Sequence, residues 1–256
     1  MNIIEEMDIE KISYPDFVGL TGQENTPPGG MSTIDYWCKF GGIDKESMLL
    51  DLACSTGFSS RMCSQKTGSS AYGIDLSKPS ICSATHKSIE KNNLSYLVAD
   101  ATELPFKDQL FTHILGGCNF GFIQDREKSL IECSRVLKSN GKLCIGTHFY
   151  KETPPEEILD LVKSSINFRP CGHWSKEWWI SFFEKHFKLT DIKVVELPVV
   201  EEEKIKKWCK GMIEEQSLNV SNERKEQLIN RLIDIRLVLN RHRNYQSFFQ
   251  AIFEKK

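Results

Sequence analysis

The sequence predicts an α/β protein with a parallel sheet and helices on both faces, and three observations carry that prediction. Between residues 48 and 150, short apolar runs alternate with segments of helical period, the pattern of right-handed βαβ units. The run Leu49-Leu50-Asp51-Leu52 passes through a turn of small residues, Ala53-Cys54-Ser55-Thr56-Gly57, straight into a helix. Acids close three successive runs: Asp51, Asp75 and Asp100. Strand carboxyl ends in an open α/β sheet meet at one crevice, so these acids are expected to face a common ligand.

Taken in order, residues 1–25 read as a mixed segment with a short helix and a loop. Thr26-Pro27-Pro28-Gly29-Gly30 makes a rigid turn. Ser32, with Asp35 three residues on, reads as the cap of a short aromatic helix that Gly41-Gly42 stops. Strands are expected at 48–53, 70–75, 94–99, 110–116 and 142–148, and helices at 58–67, 78–92 and 126–138, the last capped by Asp125 and ending at Asn140-Gly141. Pro154-Pro155 opens another helix, and Phe168 to Trp174 is an aromatic and polar loop from which His173 and Trp174 are expected to reach a pocket. Ser175 caps a helix whose aromatics, from Trp178 to Phe187, form one core stripe. Strands at 188–197 and from Gln246 to Phe253 enclose a charged excursion, about 199–243, with two amphipathic helices. That pair reads as a cover on the ligand edge, and its charge (Arg231, Arg236, Arg241, Arg243) suggests loose packing that opens.

The totals bound the function. With 256 residues the chain is long enough for one domain with a sizeable core. A net charge of −2 and a pI of about 6.3 argue against a nucleic-acid partner. The nine cysteines lie in apolar segments without a Cys-x-x-Cys pair or zinc spacing, so they read as reduced thiols of a cytoplasmic protein with no metal site. The first six residues are acidic and lack a signal peptide's apolar run, and no run approaches the roughly 18 residues of a membrane span.

An acid after the second strand suits a ribose diol, and Asp100-Ala101 after the third suits an exocyclic amine and a ring nitrogen. Together they indicate an adenosine-type ligand. A dinucleotide loop wants Gly-x-Gly-x-x-Gly to seat a pyrophosphate, which Asp51 would repel. A carboxylate beside an ammonium or sulfonium is favourable, so Asp51 points to S-adenosylmethionine.

Residues 48–150 resemble a class I S-adenosylmethionine-dependent methyltransferase, similar to the ubiquinone/menaquinone-biosynthesis group. The matching stretches are Leu50 to Gly57, Tyr72 to Ser77, Asp100 to Phe106, and Arg135-Val136-Leu137-Lys138 leading to Gly141-Lys142-Leu143. The resemblance implies a Rossmann-like three-layer sandwich with a seven-stranded, mostly parallel sheet and an antiparallel last strand. It implies one domain over 1–256: an N-terminal helical cap (1–45), a cofactor-binding core (46–150), an aromatic loop and helix (151–187), and a helical lid inserted at 199–243 between the last two strands. S-adenosyl-L-methionine would be the cofactor and S-adenosyl-L-homocysteine the product. Asp51, Ala53, Ser55 and Gly57 would flank its methionine part, Asp75 and Leu76 the ribose and its surroundings, and Asp100 and Ala101 the adenine. Gly116, Gly117 and Cys118 would line the methyl end. The family loop usually carries glycine where Ala53 and Ser55 stand, and both are small enough provided φ is negative there.

The acceptor is less constrained. After the fourth strand stands Gly116-Gly117-Cys118-Asn119-Phe120, without the motifs of nucleic-acid methylation and without an acid for magnesium. A metal-free, in-line transfer to N, O or S of a small molecule or peptide remains, with positioning supplying much of the rate. His148 and His173 are the candidate bases, and Tyr14, Tyr36, Tyr150 and Trp174 the candidate acceptor cage. The alternative is a protein that binds the cofactor without transferring anything, as a regulator or enzyme partner; a blocked methyl side would favour it. The oligomeric state stays open.

Overall fold

The computed structural model describes residues 3–216 and 218–256. Seven strands form one sheet: β1 (Met48–Leu52), β2 (Ser70–Asp75), β3 (Leu94–Val98), β4 (Phe111–Gly117), β5 (Leu137–Tyr150), β6 (Phe187–Glu196) and β7 (Gln246–Lys255). Their order is β3-β2-β1-β4-β5-β7-β6. The first five run parallel, and β7 is antiparallel to both β5 and β6. The expected sheet and its antiparallel last strand are therefore present. The order reverses between β1 and β4, which places the topological switch point, where ligands bind such sheets, beside Asp51 and Gly117.

Ten helices among the described residues complete the layers: α1 (Ile3–Glu6), α2 (Tyr14–Leu20), α3 (Met31–Gly41), α4 (Phe58–Thr67), α5 (Lys78–His86), α6 (Arg126–Val136), α7 (Glu156–Ile166), α8 (Lys176–Phe183), α9 (Glu202–Glu215) and α10 (Asn222–His242). One sheet face packs Phe111, Leu143 and Phe253 against Leu130 and Val136 of α6 and Trp179 and Phe183 of α8. The other packs Leu49, Leu115 and Ile252 against Ile34 and Trp37 of α3 and Cys63 of α4. Burying each such side chain contributes about 1.5–3 kcal/mol.

A third core lies apart from these two. Ile9 and Phe17, Val162 of α7, Ile205 and Ile213 of α9, and Leu228 and Leu232 of α10 share it. The excursion is thus packed against the N-terminal segment. Its charge does not loosen it: Arg231 is 9 % exposed, donates to the Ile9 and Ile12 carbonyls, and lies over the Phe17 ring at 4.6 Å.

Several expected boundaries shift. The cap of α3 is Gly30, not Ser32, whose hydroxyl donates back to the Gly29 carbonyl at 2.8 Å; Asp35 instead pairs with Lys66. The helix expected over 78–92 stops at His86, because the chain beyond it turns to bring Asn93 onto Ser64 and the Ser69 carbonyl, and Ile89 finds no packing at 77 % exposure. α6 ends at Val136 rather than at Asn140-Gly141, since Leu137 is already taken into β5 opposite Phe111.

Candidate functional site

Loop 53–57 joins β1 to α4 with Ala53 at φ 47°, Ser55 at φ 50° and Gly57 at φ 74°. The backbone keeps the left-handed alternation that glycines would adopt freely, so the negative φ under which Ala53 and Ser55 would fit without cost is not met. Left-handed backbone costs a side-chain-bearing residue about 1–2 kcal/mol. Three hydrogen bonds hold it: Cys54 N–H donates to the Ile74 carbonyl at 2.8 Å, Gly57 N–H to the Cys54 carbonyl at 2.9 Å, and Ser55 N–H to Asp75 Oδ2 at 2.9 Å.

The three acids differ in their surroundings. Asp51 is 3 % exposed, and its Oδ2 accepts from the Ser60 N–H of α4 at 2.9 Å. Burial pushes its pKa up to about 7, against the pull of that bond. Asp75 accepts from Ser55 N–H and, at 2.9 Å, from Ser77 N–H; burial raises its pKa while those donors oppose the rise. Asp100 is exposed, with Oδ1 accepting from Thr102 N–H at 2.8 Å, and Ala101 beside it is 7 % exposed. Leu76, which follows Asp75 in the chain, is 70 % exposed, an apolar side chain open to solvent beside that carboxylate.

Across the switch point, Gly117 lies under Pro27, and a Cβ there would meet the Pro27 ring at 3.1 Å. Cys118 (φ 66°) places Sγ 3.3 Å from Nδ1 of His148 at the end of β5. Burial raises the thiol's pKa and, with Arg243 adding, lowers that of His148 to about 4, so both are neutral at pH 7. Close by, the Tyr150 hydroxyl and His242 Nε2 are 2.7 Å apart, with His242 likewise pushed down to about 4 by burial.

The other expected site residues scatter. His173 is exposed, with Nδ1 3.2 Å from Cys171 Sγ; together with Tyr150 and Gly172 it lines a cavity of about 260 Å³. Trp174 is buried, not free to reach a pocket: Phe168 stacks with it, and Arg126 lies 5.0 Å from its ring centroid. Tyr36 packs in the α3 core with its hydroxyl donating to Asp191 of β6, so it does not join the crevice. Tyr14 is half-buried against the third core.

Four contributors escaped the sequence reading. Gln23, 0 % exposed, accepts at its carbonyl from the Thr56 hydroxyl at 2.9 Å, and Asn25 N–H reaches the same hydroxyl at 3.4 Å. The segment before α3 is thereby tied over the first loop. Asp16 Oδ1 accepts from the Ser77 hydroxyl at 2.6 Å, bringing α2 beside Asp75. Tyr96 fills the space where a Cβ on Gly57 or Gly73 would stand, its hydroxyl at 2.7 Å from the first and its ring at 2.6 Å from the second. Only the spacing of Tyr96 within β3, opposite Gly73, hinted at this.

Residues 50–145 match the family described as a methyltransferase domain. The chain is 42 % identical to MccD protein, whose crystal structure superposes with a TM-score of 0.78 over 91 % of this chain and 100 % of that one. It is 32 % identical over 109 residues to demethylmenaquinone methyltransferase of Staphylococcus aureus strain MRSA252, 41 % of this chain and 45 % of that relative, so the match spans less than half of the relative's length. Phosphoethanolamine N-methyltransferase 2 of Haemonchus contortus, solved in complex with S-adenosyl-L-methionine, shares the fold at 20 % identity and a TM-score of 0.69, over 97 % of this chain and 59 % of that one.

Proposed function

The chain belongs to the class I S-adenosylmethionine-dependent methyltransferases, an enzyme family whose cofactor is S-adenosyl-L-methionine, and from that premise we propose that it methylates an N, O or S atom of a small molecule or peptide-like compound. One observation supports this above the rest: Asp51 of β1 leads into a left-handed loop at the switch point that Asp75 of β2 holds through Ser55 N–H, with apolar Leu76 exposed beside Asp75 and Asp100 following β3. The residues present fit the cofactor. Asp75 would accept from the ribose hydroxyls, Leu76 would cover the adenine, and Asp100 with the Ala101 N–H would hold its edge. Asp51, near its midpoint at neutral pH, would ionise against the ammonium of the methionine part. When bound, the cofactor supplies a methyl group already activated by its sulfonium.

Gly117 and Cys118 line the methyl end, and His148 beside them is the first candidate to take a proton from the acceptor atom, since burial keeps it neutral. His173, at the mouth of the neighbouring cavity, is the second. The absence of a carboxylate from Gly116 to Phe120 supports a transfer without metal. The pair α9 and α10 forms the acceptor wall of the crevice. All nine cysteines are unpaired, which supports work in a reducing compartment such as the cytoplasm, and no helix of the described residues is long and apolar enough to cross a membrane.

Calorimetry with S-adenosylhomocysteine and NAD is the first test, with binding of the former alone expected. A screen of small-molecule and peptide acceptors, read by S-adenosylhomocysteine release with and without EDTA, is the second. Turnover that EDTA abolishes and magnesium restores would overturn the metal-free reading. NAD binding without S-adenosylhomocysteine binding would overturn the whole.

A further inference from the structure

Most inward-facing arginines of this protein have acceptors. Arg61 is held by both oxygens of Glu24, Arg135 by Glu132 and Asp108, and Arg231 by two carbonyls. Arg236 and Arg243 are less fully served. Arg236, on α10, donates once to Gln23 Oε1 at 2.8 Å and lies 4.9 Å from the Trp208 ring centroid, but its buried Nε has no partner. Gln23 is 0 % exposed, and its Nε2 has no partner either. Arg243, in the single turn Arg243–Tyr245 that continues α10, is half-buried, and among the described residues neither it nor Arg236 makes an ion pair. Burial and then the charge of Arg236 lower the Arg243 pKa, with no carboxylate opposing them.

The two guanidiniums are seven residues apart, two helical turns, and so share a side of α10 and its continuation. Gln23 joins Arg236 to the first loop through Thr56. Arg243 is close enough to depress His148, which stands beside Cys118 at the methyl end. Desolvated positive charge without a counter-ion is costly, and a ligand that supplies the negative charge recovers that cost. Two guanidinium forks and an amide offer more donors than the two oxygens of one carboxylate can accept; a phosphoryl group, with three oxygens and up to two charges, matches them. We propose that Arg236, Arg243 and the Gln23 amide seat a phosphoryl group carried by the acceptor, holding its nucleophile toward the methyl end beside His148. This rests on the methyl transfer proposed for the same crevice and names its substrate class: a phosphorylated small molecule or peptide conjugate.

The test uses the full chain saturated with S-adenosylhomocysteine and titrated with inorganic phosphate at constant ionic strength, chloride replacing phosphate in the control. Phosphate is expected to bind measurably and to raise the unfolding temperature above the chloride control. Arg243→Gln and Arg236→Gln are each expected to weaken phosphate binding at least tenfold and Arg243→Lys to weaken it less, while S-adenosylhomocysteine affinity, which also reports folding, changes less than twofold. No phosphate effect beyond chloride, or Gln variants that bind phosphate like the parent, would overturn the proposal. So would a tenfold loss of S-adenosylhomocysteine affinity in either Gln variant, which would assign the guanidinium to the cofactor's own carboxylate. S-adenosylhomocysteine failing to bind the parent would instead remove the methyltransferase reading and this inference with it.

Discussion

Asp75 and Arg243 meet burial in different ways on the two flanks of the switch point. On the β2 flank, the Asp75 oxygens accept from Ser55 N–H and Ser77 N–H, and Asp51 accepts from Ser60 N–H. Those carboxylates are held by the chain itself, so the loop geometry exists before any ligand arrives. On the β5 flank, Arg243 and Arg236 have no counter-ion among the described residues, and His148 and His242 are kept neutral by burial. The contrast separates a pre-organised half, the proposed seat of the cofactor, from a half whose charges the chain leaves uncompensated, the proposed seat of the acceptor.

The largest expected break of that contrast is Asp75→Ala. It removes the proposed ribose acceptor and also strands two backbone N–H groups, so S-adenosylhomocysteine binding should weaken by about 1.5–3 kcal/mol, roughly 10- to 150-fold. Calorimetry showing parental affinity would mean that the β2 flank does not hold the ribose. Next in size, Arg231→Ala leaves the Ile9 and Ile12 carbonyls without their donor and should lower stability by about 1–3 kcal/mol in urea unfolding. An unchanged midpoint would mean that the third core does not depend on this clamp.

The pH dependence of cofactor binding sharpens the comparison. Asp51 has its pKa raised to about 7, and the proposed ammonium contact needs it ionised. Below that pH, binding must release a proton, so S-adenosylhomocysteine affinity should fall up to about tenfold per pH unit and level off above it. Asp51→Asn should abolish this slope; a slope that persisted would assign the proton elsewhere. The smallest effect expected is from Ser55→Gly. It relieves left-handed backbone but loosens the unfolded chain, for a net gain of about 0.5–1 kcal/mol, seen as a rise of a few degrees in unfolding temperature. A fall would show that the Ser55 side chain supports the loop.

The strands β1, β2 and β4 were legible because buried parallel strands must be apolar through and through, and the runs around Leu50, Ile74 and Ile114 have no other use. The acids of the candidate site were legible for a related reason: a carboxylate at the end of such a run is out of place unless it has a partner. Element ends were less so. Leu137 fits a helix or a strand by local preference, and its pairing with Phe111 decided for the strand. Trp174 and His173 are neighbours in sequence with the same apparent freedom, yet one is stacked into the aromatic core and the other left outside.

The sequence by itself determined the alternation of strands and helices and the acids proposed to face the cofactor, because period, polarity and turn chemistry act over a few residues and leave a local record. Only the tertiary structure decided the left-handed φ at Ala53 and Ser55, the tie from Gln23 to Thr56, and the meeting of Arg236 with Gln23 and of Arg243 with His148. Those arginines and His148 are separated by about ninety residues of chain, and Gln23 by more than two hundred from Arg236. Whether a guanidinium so placed finds a carboxylate, a carbonyl or nothing depends on how separate elements pack, and no local pattern encodes that outcome.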